Sequence, residues 1–162
     1  MDKILNQIIK NKNGLKVIIV IVFNAAVAFF GAIFTDTSSQ WYCSLTIPRI
    51  QPPPIVFMSV WIFLYLLLAF ITIIAVLDDG FSPKLRSLLV TNGILNILWS
   101  YTFFNMQNSA GSFVILIVLI IVGYFIFVKL NAIKPILSYL FTIYLVWLLF
   151  ALLLNYAIIF LN

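Results

Sequence analysis

The chain has 162 residues, of which 65% are hydrophobic and 8% charged, and a formal net charge of +5. A soluble domain carries roughly 25% charge and 45–50% apolar residues, so a water-soluble globule and a disordered chain are both excluded. Five membrane helices need roughly 100 apolar residues, and the chain supplies that total.

The first long apolar run is 17–34, interrupted only by Asn24. Basic residues precede it, and Ile4, Leu5, Ile8 and Ile9 form a short apolar stripe that suggests a surface-lying segment over 3–10. Thr35-Asp36-Thr37 follows the run in place of a small-residue cleavage site, so 17–34 reads as a first membrane helix rather than a signal peptide. Asn24, Ala28 and Ala32 are spaced by four, a small-residue stripe suited to close helix packing or to dimerisation.

The segment 35–54 is long for a connection. It contains Trp41, Tyr42, Ile47, Ile50 and three successive prolines, so it is expected to pack over the outer mouth of the bundle, with the prolines at the start of the next helix. Cys43, the single cysteine, excludes an intrachain disulfide and reads as an incidental loop residue. Further runs at 55–77, 85–104, 112–128 and 135–161 complete five predicted spans. The run 85–104 is the most polar, with Thr91, Asn92, Asn96 and Ser100. The runs are continuous and lack two-residue alternation, which argues against a strand barrel.

Basic residues set the orientation. Lys3, Lys10, Lys12, Lys16, Lys84, Arg86, Lys129 and Lys134 fall on one side of a five-span chain, and Arg49 alone on the other. The expected architecture is an all-α integral membrane protein: one domain over 1–162, a five-transmembrane-helix bundle, N-terminus cytoplasmic and C-terminus outward.

Several chemistries lack material. The chain has no histidine, and its acids Asp2, Asp36, Asp78 and Asp79 lie outside the apolar runs, so neither a metal site nor a carboxylate dyad is expected. Motifs for phosphate loops, nucleophile triads and bound cofactors are missing too, and no cofactor is expected. The basic balance is explained by topology, so nucleic acid is not an expected partner.

What the spans do offer is aromatic faces. On helical geometry Asn92, Asn96, Trp99 and Phe103 share one face. Phe57, Trp61 and Tyr65 repeat every four residues. Tyr144, Trp147 and Ala151 share a face with Asn155 at its margin. Such faces serve interhelical packing and hydrogen bonding, or the walls of a pocket for a flat apolar ligand. Spacing alone leaves both readings open.

The ordered set Trp41-Tyr42-x-x-Leu45-x-x-Pro48-x-x-x-Pro52-Pro53, then Phe57, Trp61 and Tyr65, then Asn92, Asn96, Trp99, Ser100, Phe103 and Phe104, then Tyr144, Leu145, Trp147, Phe150, Ala151, Leu154, Asn155 and Tyr156, resembles the TspO family. These are the tryptophan-rich sensory proteins, relatives of the mitochondrial translocator protein or peripheral-type benzodiazepine receptor. The resemblance covers residues 16–162. It implies a five-helix bundle, a homodimer, and binding of porphyrins, notably protoporphyrin IX, and of drug-like isoquinoline carboxamides and benzodiazepines. Carried over by motif position, the ligand-binding residues are Tyr42, Trp61, Tyr65, Asn96, Trp99, Trp147 and Ala151. The resemblance also implies light- and oxygen-dependent porphyrin breakdown, with Trp61 and Trp147 in the catalytic, photochemical role. The family pattern places a tryptophan where this chain has Ile50, removing one aromatic wall. No Lys or Arg occurs in 157–162, so the cholesterol motif of the animal relatives is incomplete and cholesterol binding is not expected. The alternatives are a transporter of tetrapyrroles or other apolar solutes, and a regulatory membrane protein acting through a partner. The composition points to a bacterial plasma membrane.

Overall fold

A computed structural model describes residues 12–78 and 80–162, and the stripe expected over 3–10 lies outside them. The described residues form helices and connections, with no strand among them. In chain order they are α1 (Lys12–Phe34), α2 (Gln40–Ser44), α3 (Pro54–Val76), α4 (Pro83–Ser100), a π-helical turn (Tyr101–Asn105), α5 (Ser109–Ile133) and α6 (Pro135–Leu161).

Proline fixes three of the helix starts. Pro54, Pro83 and Pro135 occupy first-turn positions, where the missing N–H has no intrahelical partner to lose. Ser82 caps α4 by accepting the Leu85 N–H at 3.2 Å, and Asn108 caps α5 by accepting the Gly111 N–H at 2.7 Å. Two helices outrun the apolar runs that predicted them: α1 begins at Lys12 rather than 17, and α5 ends at Ile133 rather than 128. Helix geometry continues past the end of the apolar run, into residues whose hydropathy no longer marks it.

The helices close into a ring. Helix α1 packs on α3 and α4, α4 on α5, α5 on α6, and α6 on α3. Consecutive helices α3 and α4 are not a packed pair; they face each other across the ring, and large side chains fill the space between them. Leu64, Ile71 and Ala75 of α3, Leu85 of α4, Leu116, Leu119, Ile126 and Leu130 of α5, and Leu137, Phe141 and Leu148 of α6 form the sealed interior. Leu66, Val22, Val114, Tyr124 and Val146 point outward and are exposed. Large apolar residues on the outside are the inverse of a soluble protein and match a lipid environment.

Four helices, Asn13–Phe34, Pro54–Val76, Ser109–Ile133 and Pro135–Leu161, are long and apolar enough to cross a membrane. Helix α4 is less apolar in composition, and three of its polar side chains are turned inward: Asn92, Asn96 and Ser100 are all buried.

The inward face of α1 coincides with the small-residue stripe only in part, at Asn24, which borders an interior cavity. Val20, Val27 and Gly31 are buried, whereas Ala32 is exposed. At Gly31 an added Cβ would sit 3.2 Å from the Tyr65 hydroxyl oxygen. On α4, a Cβ at Gly93 would sit 2.6 Å from Phe23 and 2.9 Å from Val27, so this glycine lets α1 approach α4.

Candidate functional site

Trp61 is the hub of the gap between α3 and α4. Its ring centroid lies 5.6 Å from Tyr65, 5.5 Å from Trp99, 6.4 Å from Trp147 and 6.3 Å from Phe57. Phe57 and Trp147 are 5.6 Å apart. Helical spacing explains the set: Phe57, Trp61 and Tyr65 are one α3 face, and Trp99 and Trp147 reach it from α4 and α6. Offset and edge-on contacts of this kind contribute roughly 0.5–1.5 kcal/mol per pair beyond area burial.

The cluster continues toward the loop. Trp99 lies 6.5 Å from Phe103, Phe103 4.8 Å from Phe104, Trp41 5.4 Å from Phe103 and Tyr42 5.5 Å from Phe104. The π-helical turn makes this possible. The Met106 N–H donates to the Tyr101 carbonyl at 3.0 Å, five residues back, and this wider turn buries the adjacent Phe103 and Phe104 together. Periodicity predicts an α-helix through this stretch; no local signal marks the wider turn.

The loop is anchored at several points. Ser39 caps the short helix α2, the Gln51 amide donates to the Tyr42 hydroxyl at 2.6 Å, and the Asn105 amide donates to the Phe34 carbonyl at 2.9 Å. The Asn162 side chain pairs with one residue of the loop in both directions, accepting the Thr46 N–H at 2.8 Å and donating to the Thr46 carbonyl at 3.3 Å.

Below the rings is a polar layer. The Asn96 amide donates to the Tyr144 hydroxyl at 2.8 Å and to the Asn92 carbonyl at 2.9 Å, and the Tyr144 hydroxyl donates to the Asn92 side-chain oxygen at 3.2 Å. All three residues are buried. Beside them a cavity of about 30 Å³, bounded by Asn24, Tyr65, Thr72, Asn92 and Asn96, has room for about one water. On the α5–α6 side the Asn155 amide donates to the Ser112 hydroxyl at 2.7 Å.

Hydrogen bonding is incomplete where the rings meet. The indole nitrogens of Trp61, Trp99 and Trp147, and the Asn96 side-chain oxygen, are buried without a hydrogen-bond partner. Each such group carries a penalty of about 1–3 kcal/mol.

Of the seven ligand-binding residues expected from the sequence, Trp61, Tyr65, Trp99 and Trp147 join in one ring cluster. Asn96 lies one turn below Trp99 on α4, and Ala151 is buried one turn above Trp147 on α6. Tyr42 stands apart: its ring rests on Phe104 rather than on the tryptophans. The rings are packed against one another, so a flat ligand has to separate them to enter. Tyr144, Asn92, Phe57, Phe103 and Trp41 were legible as face or loop residues but not as parts of this assembly. Tyr144 could have been found by pairing its hydroxyl with the two α4 amides.

Among the described residues, charged side chains stay at the two ends. Asp78 pairs with Lys134 at 3.4 Å and accepts the Gly80 N–H at 2.9 Å. The Gly80 N–H, followed by Lys134, holds the Asp78 carboxyl below the usual carboxylate range. Asp36 is held low by the Ser38 hydroxyl and N–H. Among the described residues no His, Cys, Asp and Glu cluster could hold a metal ion.

The fold and the cluster define an all-helical integral membrane protein with an aromatic assembly among its helices. The TspO/MBR family profile matches residues 19–161. The chain is 35% identical over 157 residues to a tryptophan-rich protein TspO of Archaeoglobus fulgidus, covering 93% of this chain and 99% of that protein. It is 31% identical over 160 residues to a tryptophan-rich protein TspO of Chlorobaculum tepidum, covering 94% and 99%. The chain belongs to the TspO/MBR family, and it is an integral membrane protein.

Proposed function

We propose that this protein binds porphyrins, protoporphyrin IX in particular, and similar flat apolar ligands at the aromatic cluster beneath the 35–53 loop. The supporting observation is Trp61, whose ring meets Tyr65, Trp99, Trp147 and Phe57 in an interior where no charged side chain is buried among the described residues. A porphyrin is large, flat and aromatic, and indoles bind such surfaces by stacking. Tyr42, Tyr65, Asn96, Trp99, Trp147 and Ala151 complete the proposed lining. Trp61 and Trp147 are the proposed electron donors in light-dependent breakdown, which needs no acid–base group.

In this reading 1–162 forms a single unit. Helix α4 with its π-helical turn is the fifth span, the N-terminus faces the cytoplasm because the basic residues gather at that end, and two copies form a homodimer.

The test is a protoporphyrin titration of the detergent-solubilised protein in the dark, followed by tryptophan quenching and porphyrin absorbance. Saturable binding weakened by Trp61→Phe and Trp147→Phe is expected. Illumination in air is expected to bleach the porphyrin faster than in the two variants. Quenching that rises linearly without saturation would rule the site out.

A further inference from the structure

We infer that the tryptophans form a relay that carries oxidising equivalents out of the bundle, with Trp41 in the loop as the outlet. The inference extends the pigment-binding reading and rests on it for the origin of the oxidant. The path is Trp147 to Trp61, Trp61 to Trp99, then across the Phe103 ring to Trp41, with successive centroid separations of 6.4, 5.5, 6.5 and 5.4 Å.

The direction follows from where a proton can go. An oxidised indole is a strong acid at its N–H and becomes a lower-energy neutral radical once the proton leaves. Trp61, Trp99 and Trp147 have buried N–H groups with no hydrogen-bond partner to take that proton. A hole on any of them stays a radical cation in an apolar surrounding, which disfavours charge, and is driven onward. Tyr65, 5.6 Å from Trp61, gives up an electron only together with its phenolic proton, and its hydroxyl sits against Gly31 beside the cavity with room for about one water, so a single interior water is all that is at hand to take that proton. Trp41 is half-exposed in the loop, so water can accept its proton.

The electron count closes as follows. A photoexcited pigment takes one electron from Trp61, giving a pigment radical anion and a Trp61 radical cation. Trp99 reduces Trp61, and Trp41 reduces Trp99. The Trp41 radical cation releases its indole proton to water and remains as a neutral radical. The pigment anion passes its electron to dioxygen. The net change is one electron from Trp41 to dioxygen, forming superoxide, and one proton to water. Trp99 and Phe103 then have a conducting role besides packing, and Trp41 takes the oxidative damage in place of the pocket.

The test needs no ligand. In the full chain in detergent, a laser pulse photoionises the four tryptophans, and a cobalt(III) ammine complex scavenges the ejected electrons. Transient absorption separates the indole radical cation from the neutral radical. In the unsubstituted protein the cation signal is expected to decay as the neutral signal grows. In Trp41→Phe the cation is expected to persist severalfold longer. In Trp99→Phe only the holes born on Trp61 and Trp147 are stranded, so a fraction of the signal persists. Both variants keep a ring on Phe103, and thermal melting of their helical circular dichroism verifies folding. Equal cation lifetimes in all three proteins, or a final radical assigned by electron paramagnetic resonance to Trp61, Trp147 or Tyr65, would overturn the relay. A failed porphyrin titration with intact hole migration would overturn only the proposed ligand.

Discussion

At the end of the bundle where Asp78 meets Lys134, the interior is Leu85, Leu130, Leu137 and Phe141, each sealed from solvent. At the opposite end Trp61, Trp99, Phe103 and Trp41 meet under a loop, and three indole N–H groups lack partners. The first region satisfies what packing alone demands. The second keeps hydrogen-bonding capacity unused, which a stability argument does not explain. Scaffold and site therefore occupy different ends of one helix ring, joined by the Asn92–Asn96–Tyr144 layer.

Substitutions sharpen that contrast. Leu130→Ala in the aliphatic half should lower stability by about 2–5 kcal/mol through lost burial and a residual cavity. Trp61→Phe should lose less, because it removes a buried N–H that has no partner while keeping a ring. Thermal melting in detergent compares the two, and an equal or larger loss at Trp61 would erase the distinction between the halves. In the layer between them, Tyr144→Phe removes a hydroxyl that joins α6 to α4. A loss of about 0.6–1.7 kcal/mol is expected for an interhelical bond within a membrane.

The loop gives a smaller, local effect. Asn162→Ala removes both bonds to Thr46, each contributing about 0.5–1.5 kcal/mol net. Hydrogen exchange at the Thr46 amide should accelerate severalfold while exchange in α5 stays unchanged. A spin label on the exposed Cys43 reports the same loosening.

The smallest effect is expected at Asp78. Its folded pKa is depressed, so its contribution is present above the unfolded-state pKa and is lost as pH falls through the folded value. The melting temperature should therefore decline slightly at acid pH, and Asp78→Asn should remove that increment. The pair is solvent-exposed, so salt should weaken it too.

Much of the architecture was legible because the signals are local. Continuous apolar runs mark the helices, and Pro135 fixes the start of α6 where the run begins. The inward face of α4 was readable from Asn92, Asn96, Trp99 and Phe103 at helical spacing, and all four are buried. What was not legible depends on distance or on a register change. The Asn162–Thr46 pairing spans 116 residues. The α1 interface rests on Val20, Val27 and Gly31, whose inward face is set by Tyr65 and Gly93 on other helices, so of the small-residue stripe Asn24 borders the interior cavity while Ala32 faces out. Tyr42 lies on the loop at the expected end, but its resting place on Phe104 depends on the π-helical turn.

That turn also acts as a clutch between two gearings of one helix. Below it, the α4 residues mesh with α1 and α5 in ordinary α register; within it, Phe103 and Phe104 engage the loop in another. Deleting one residue between Tyr101 and Asn105 would restore a single register and rotate the remaining residues of this turn by about 100° relative to α4, so that the loop loses its seat.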